Sequence, residues 1–260
     1  MSERIQKALA NSGIGSRRQI EAWIREGRIT VNGRPAKIGQ QVEAEVNIHF
    51  DGWLVPLKAG APQKTRVLAY YKPAGEVCSR KDDKGRTTVF SRLPHLKQGR
   101  WISIGRLDVN TTGLLLFSND GELVNQLTHP SREIEREYAV RVMGDVNGEM
   151  LTRLRAGVKL DDGIARFTDI VKGEGKGANT WFYVVIKEGR NREVRRLWES
   201  QGVMVSRLIR VRFGSYLLDR GRHPGETWEL EPHEIKILQQ LAQKPAVAGQ
   251  RGISAKPVRR

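Results

Sequence analysis

The stretch Gly105-Arg106-Leu107-Asp108-Val109-Asn110-Thr111-Thr112-Gly113-Leu114-Leu115-Leu116-Phe117 organises the larger part of this 260-residue chain. A short loop bounded by two glycines runs into four consecutive large apolar residues, and the apolar run Trp101-Ile102-Ser103-Ile104 precedes it. Brief apolar runs bounded by turn residues read as buried strands, so the loop joins two strands and Asp108 stands at the mouth of the second. Asp is common in such loops because its side chain bonds nearby backbone, which gives Asp108 an ordinary structural reading. A carboxylate beside a buried strand also needs an ionic or hydrogen-bonded partner. Arg106 is one candidate, and the arginines of a later basic segment are the others.

That segment is Lys187-Glu188-Gly189-Arg190-Asn191-Arg192-Glu193-Val194-Arg195-Arg196-Leu197-Trp198. It follows the apolar strand Trp181-Phe182-Tyr183-Val184-Val185-Ile186 and opens a helix, with Asn191 expected as its N-cap. Val194, Leu197 and Trp198 fall at i, i+3 and i+4 and form the inward stripe. Arg195, next to Val194, can lean inward, where it would keep a nearby carboxylate ionised. Arg190, Arg192 and Arg196 read either as a solvated face or as phosphate contacts. Asp120 belongs to an Asn119-Asp120-Gly121 turn and is assigned to turn chemistry. The flanking pair of carboxylates that a glycosidase needs is therefore not evident.

Further strands are expected at Val67-Leu68-Ala69-Tyr70-Tyr71 and Tyr138-Ala139-Val140-Arg141-Val142. Strands alternate with helices, which predicts an α+β domain over 66–241: a mixed, mainly antiparallel sheet with packed helices. Residues 58–65 are poor in large apolar groups and contain Gly and Pro, which predicts a linker. Residues 242–260 carry basic groups and no acid, with Ala, Gly and Pro, and read as a disordered electrostatic arm.

Residues 1–57 read as a separate small domain. Ile5, Ala8 and Leu9 have helical spacing, and Gly13 ends that helix. Ser16 and Gln19 form a capping box for a second helix whose apolar face is Ile20, Trp23 and Ile24, stopped by Gly27. Asn32-Gly33 between extended segments marks a hairpin. At 100° per residue, Arg18 and Arg25 share a line opposite Ile20 and Ile24, with Arg17 and Arg28 beside it. Such a face is either solvated or bound to phosphate.

Net charge favours the second reading. The chain carries 45 Lys and Arg against 29 Asp and Glu, a formal +16, which implies a polyanionic partner. No apolar run reaches the roughly 18 residues of a membrane span, and no secretory signal is evident, so nucleic acid is expected and a membrane is not. Cys78 is the single cysteine, which suits a reducing cytoplasm. The histidines never fall at metal-ligand spacing, and no phosphate-binding glycine motif occurs, so neither metal nor cofactor is expected.

The N-terminal set Arg4-Ile5-Gln6-Lys7-Ala8-Leu9-Ala10, Ser16-Arg17-Arg18 and Gly27-Arg28-Ile29-Thr30-Val31-Asn32-Gly33 resembles an S4 domain, an RNA-binding module. The run from Gly105 to Gly121 closely resembles the signature of the RsuA-type pseudouridine synthases. Supporting segments appear in family order: Arg136-Glu137-Tyr138-Ala139-Val140, with Arg136 where lysine is common, then Glu188-Gly189 through Val194-Arg195-Arg196, then Leu208-Ile209-Arg210-Val211-Arg212-Phe213-Gly214. The resemblance implies that Asp108 is the catalytic residue, that Tyr138 stacks on the target base and assists proton transfer at C5, and that Arg195 pairs with Asp108. It further implies that Leu208 forms an apolar pocket wall and that Arg106 fills the gap left by the extruded uridine. Arg17, Arg18, Arg25, Arg28, Arg190, Arg192 and Arg196 are then the expected RNA contacts.

The wording of these segments is most similar to the branch of the family that modifies large-subunit 23S ribosomal RNA, with a small-subunit 16S target as the alternative. Outside the family, a non-catalytic RNA-binding assembly factor and a carboxylate-based hydrolase are the rival readings. The expected partner is ribosomal RNA, free or within an assembly intermediate, and the chain is expected to act as a monomer.

Overall fold

The computed structural model describes residues 2–43, 46–56, 64–176 and 179–243. Most of the expected linker 58–65, and residues 244–260 of the expected tail, lie outside the described residues.

Two helices open the fold, α1 (Ile5–Asn11) and α2 (Arg17–Arg25). The capping box forms as expected: the Gln19 amide donates to Ser16 Oγ at 3.2 Å, and the Ser16 amide donates to Gln19 Oε1 at 2.9 Å. Both helices leave through left-handed glycines, Gly13 and Gly27, which only a residue without Cβ adopts freely. Ile5, Leu9, Ile20 and Ile24 pack on Ile29, Val31 and Ile48 of a four-stranded antiparallel sheet. Its first hairpin turns at Asn32 and Gly33, both at positive φ (49° and 78°), the backbone of a tight primed turn.

Among the described residues, the larger sheet contains nine strands: β1 (Val67–Lys72), β2 (Ile102–Ile104), β3 (Thr112–Ser118), β4 (Arg136–Met143), β5 (Asp169–Lys176), β6 (Asn179–Ile186), β7 (Met204–Phe213), β8 (Tyr216–Leu217) and β9 (Thr227–Glu229). The main path runs β5-β6-β4-β7-β3-β1-β9, with β8 on β7 and β2 on β3. Among the described residues, every pairing in this sheet is antiparallel except β3 with β7. This is the expected α+β arrangement, a mixed and mainly antiparallel sheet carrying helices α3 (Gly121–Thr128), α4 (Gly148–Ala156), α5 (Glu193–Glu199) and α6 (Pro232–Gln243).

Both faces of the sheet are covered, which explains the unbroken apolar run in β3. Leu115 and Phe117 join Leu197 and Trp198 of α5 on one side, whereas Leu114 and Leu116 join Leu123 and Leu127 of α3 and Leu238 of α6 on the other. Alternate residues point to opposite faces, so a strand buried on both sides must be apolar throughout.

Two local details depart from expectation. Asp120 is more than a turn residue: its Oδ1 accepts the amides of Glu122 (2.9 Å) and Leu123 (3.1 Å) and caps α3. Asn191 does not cap α5. That helix begins at Glu193 after Arg192, which takes a left-handed conformation (φ 49°) and offers no side-chain cap. The Glu193 carboxylate instead accepts the Arg190 amide at 3.1 Å, so the turn is closed from inside the helix.

Candidate active site

The loop carrying Asp108 is gripped through its main chain. Lys72, at the end of β1, has no exposed surface, and its Nζ donates to the carbonyls of Pro73 (2.9 Å), Val109 (3.2 Å) and Thr111 (2.9 Å). From α5, Arg195 donates through Nη2 to the Asn110 carbonyl at 3.0 Å and through Nη1 to the Val205 carbonyl at 2.9 Å. The Gly75 amide also reaches the Val109 carbonyl at 2.8 Å, and the Leu107 amide donates to Cys78 Sγ at 3.4 Å. With its backbone thus fixed, Asp108 keeps its carboxylate free of hydrogen bonds and ion pairs to any described residue.

That carboxylate lines a cavity of about 600 Å³ together with Arg106, Tyr138, Leu208, Arg210 and the basic segment before α5. Tyr138 projects from β4 and Leu208 from β7, and the register sets Tyr138 opposite Arg210 and Val140 opposite Leu208. The close approach of β3 to β7 depends on Gly113, whose φ is +103°. A Cβ there would lie 2.3 Å from the carbonyl oxygen of Arg210.

Four of the five residues expected to form the catalytic pocket therefore meet at one cavity, Arg106, Asp108, Tyr138 and Leu208, and Arg190 and Arg192 of the expected RNA contacts line it too. Arg195 stands behind them. It makes no nitrogen–oxygen contact of 4.0 Å or less with Asp108; its forked donors are taken by two main-chain carbonyls. Burial, then the neighbouring Arg192, lowers the Arg195 pKa, and the charge of Asp108 acts in the opposite direction. Attraction between the two is thus exerted across the loop rather than through an ion pair.

Sequence reasoning missed other contributors. Lys72 shows only as a lysine closing an apolar strand, in Tyr71-Lys72-Pro73. Burial lowers its pKa, and no carboxylate pairs with it among the described residues. Arg136 bridges β4 to the basic segment, donating through Nη1 to the carbonyls of Ile134 (2.9 Å), Lys187 (3.1 Å) and Glu188 (3.1 Å). The Glu193 carboxyl, also lining the cavity, is pushed up by burial.

The arginines expected to contact RNA divide into two sets. Arg17, Arg18 and Arg25 are exposed on α2 and bond to no described residue. Arg28 is bound to Asp51 through Nε (2.9 Å) and Nη2 (2.5 Å) and lies over the rings of Trp23 and Phe50. Arg196 binds both oxygens of Asp162 (2.9 and 2.7 Å), Arg190 binds Glu188 at 2.6 Å, and Arg192 reaches Glu199 at 3.3 Å. Exposed pairs of this kind contribute little to stability and can open toward a phosphate.

Among the described residues, no three His, Cys, Asp or Glu side chains are grouped so as to hold a metal ion. No helix among them is long and apolar enough to cross a membrane.

Comparison with known proteins places this geometry. Residues 66–200 match the family model for RNA pseudouridylate synthase, and residues 3–48 match that for the S4 domain. The ribosomal large subunit pseudouridine synthase B of Vibrio cholerae is 55% identical over 94% of this chain and 76% of its own length. The protein of that name from Escherichia coli strain K12 is 54% identical over 94% of this chain and 85% of its own. Among solved structures, a pseudouridylate synthase crystal structure aligns with 90% of this chain and 99% of that one, at a TM-score of 0.63 and 27% identity.

Proposed function

Because the chain belongs to the RNA pseudouridylate synthase family, we propose that it isomerises uridine to pseudouridine in large-subunit ribosomal RNA, with Asp108 as the catalytic carboxylate. The observation that carries this reading is the unpartnered Asp108 carboxylate in a cavity walled by Tyr138 and Leu208. The named relatives at 54–55% identity supply the substrate class.

The reaction exchanges an N1–C1′ bond for a C5–C1′ bond. The C5 proton leaves and N1 acquires one, with no change of oxidation state. A uridine inside a helix cannot present C5 to a protein carboxylate, so the nucleotide must first swing out. Extrusion costs a few kcal/mol, and stacking on an aromatic ring returns about 1–3 kcal/mol. Tyr138 is the ring positioned to supply it, Leu208 closes the pocket, and Arg106 at the rim occupies the space the base has left. Asp108 starts the reaction as nucleophile or base. The basic face of α2, with Arg17, Arg18 and Arg25, holds the RNA backbone, and Arg28, Arg190, Arg192 and Arg196 join it when their surface carboxylates are displaced by phosphate. Residues 1–57 thus bind and residues 66–241 catalyse. The chain is taken to act as a monomer, in the cytoplasm, on free or partly assembled RNA.

Replacing Asp108 by Asn tests the assignment. Isomerisation is expected to disappear while RNA affinity is retained, because the cations that bind phosphate lie elsewhere. A variant that still converts uridine removes Asp108 from the mechanism. Release of free uracil by the wild type would indicate hydrolysis instead. Pseudouridine mapping in cells with and without the gene identifies the subunit.

A further inference from the structure

Arg210 is an anomaly in the cavity wall. It is 1% exposed, yet none of its nitrogens lies within 4.0 Å of a described carboxylate. Its Nε donates to the Leu114 carbonyl at 2.7 Å, and its guanidinium carbon lies 5.6 Å from the centre of the Phe213 ring. These contacts fix the plane of the fork. Its Nη2 is buried and has no hydrogen-bond partner. A buried donor left unpaired is destabilising, and a buried guanidinium without a counter-charge is more so. Arg136, Lys72 and Arg195 resolve similar burial by gripping main-chain carbonyls with their terminal nitrogens; the Nη2 of Arg210 does not. Arg210 as a residue lines the same cavity as Asp108 and sits directly across the β4–β7 pairing from Tyr138.

We infer that Arg210 contacts the substrate, its Nη2 donating a hydrogen bond to a carbonyl oxygen of the uracil stacked on Tyr138. This rests on the reading of the Asp108 cavity as the isomerisation site. Uracil fits a fixed donor because O2 and O4 both accept. Cytosine presents an amino donor in place of O4, so a donor aimed there selects uridine. The contact also strengthens as the reaction proceeds. When the N1–C1′ bond opens, its electron pair stays with the base and spreads over O2 and O4; if Asp108 adds to C6 first, the displaced pair moves to O4. Either way the carbonyl oxygens gain negative charge, and a preorganised cationic donor is worth most where charge develops.

The test places 2-thiouridine or 4-thiouridine at the target position of a ribosomal RNA fragment and measures single-turnover isomerisation by the full chain. Sulfur accepts hydrogen bonds poorly, so the analogue that alters the contacted oxygen is expected to react roughly 100-fold slower than uridine, the scale of losing one such donor. Arg210→Met and Arg210→Lys are expected to slow uridine itself by a comparable factor with RNA affinity retained. In Arg210→Met the thio penalty should shrink to a few-fold, because the bond is already gone. A merely structural arginine would lower all rates and leave the penalty intact, which overturns the proposal. So does a wild type indifferent to both analogues, a result that needs no folded variant. A wild type inactive on uridine would instead sink the reading of the site.

Discussion

The ammonium nitrogen of Lys72 lies 2.9 Å from the Thr111 carbonyl oxygen, and this buried cation holds the Asp108 loop without neutralising its carboxylate. Its hydrogen bonds go to main chain only, so Asp108 feels the charge while its oxygens stay open.

Lys72→Met should separate these effects. The variant leaves carbonyls of the loop unpaired, at about 1–3 kcal/mol each, partly offset by removing a desolvated charge. A net loss near 2 kcal/mol corresponds to a Tm drop of roughly 4–8 °C for a domain of this size. Calorimetry checks that figure. Single-turnover rates should fall much further than RNA affinity, and equal losses in both would mean that the clamp does not serve the loop.

Gly113→Ala should be more severe. Its methyl would enter the backbone of Arg210, with contacts of 2.3 and 2.6 Å, at a φ that L-residues avoid. The parallel β3–β7 pairing must then open. We expect more than about 3 kcal/mol of destabilisation, read as insoluble protein or a Tm lowered by roughly 6 °C or more. A variant that melts like wild type would show that β3 and β7 can part without consequence.

Glu193 supplies a pH dependence. Burial raises its folded-state pKa above 4.5, so between 4.5 and the folded value the native state binds more protons than the unfolded chain. Stability therefore falls as pH rises through that window, and the cost persists at neutral pH. Glu193→Gln removes the charge and keeps an acceptor for the Arg190 amide. Its Tm should exceed that of the wild type at pH 7, and the gap should close on acidification and vanish below pH 4.5. A gap independent of pH would place the effect elsewhere.

The two sets of N-terminal arginines should differ in salt dependence. Each lost phosphate contact lowers the slope of log K against log salt by about 0.7–0.9. Arg17→Ala with Arg18→Ala should reduce it by about 1.5. Arg28→Ala, which breaks contacts to Asp51, Trp23 and Phe50, is expected to lower thermal stability and, as a single contact, to reduce the slope by about 0.7–0.9. Equal slopes for all three proteins would make Arg17 and Arg18 merely solvated.

What could be read in advance followed locality. The Ser16–Gln19 box, the Asn32-Gly33 hairpin and the inward stripe of α5 are set by residues a few positions apart, where side-chain type dictates geometry. Both faces of β3 were implied by an apolar run with no polar break. The clamps on the loop left no such trace. Lys72 and Arg195 act on carbonyls of Val109, Thr111 and Asn110, and a carbonyl belongs to every residue alike. Opposite charges suggested that Arg195 and Asp108 would pair; main-chain acceptors took the guanidinium first. The Asp162 knot with Arg190 and Arg196 likewise joins segments that only the tertiary fold brings together.

The β3–β7 pairing has a bearing on how the enzyme is made. During synthesis, Asp108 emerges long before Arg195, Leu208 and Arg210, and until β7 follows, the edge of β3 that will carry it has no partner. A nascent chain thus holds the Asp108 carboxylate in an unfinished site, which is complete only when the strand ending at Phe213 has docked. An N-terminal fragment that stops short of that strand should be inert, however much of the signature loop it contains.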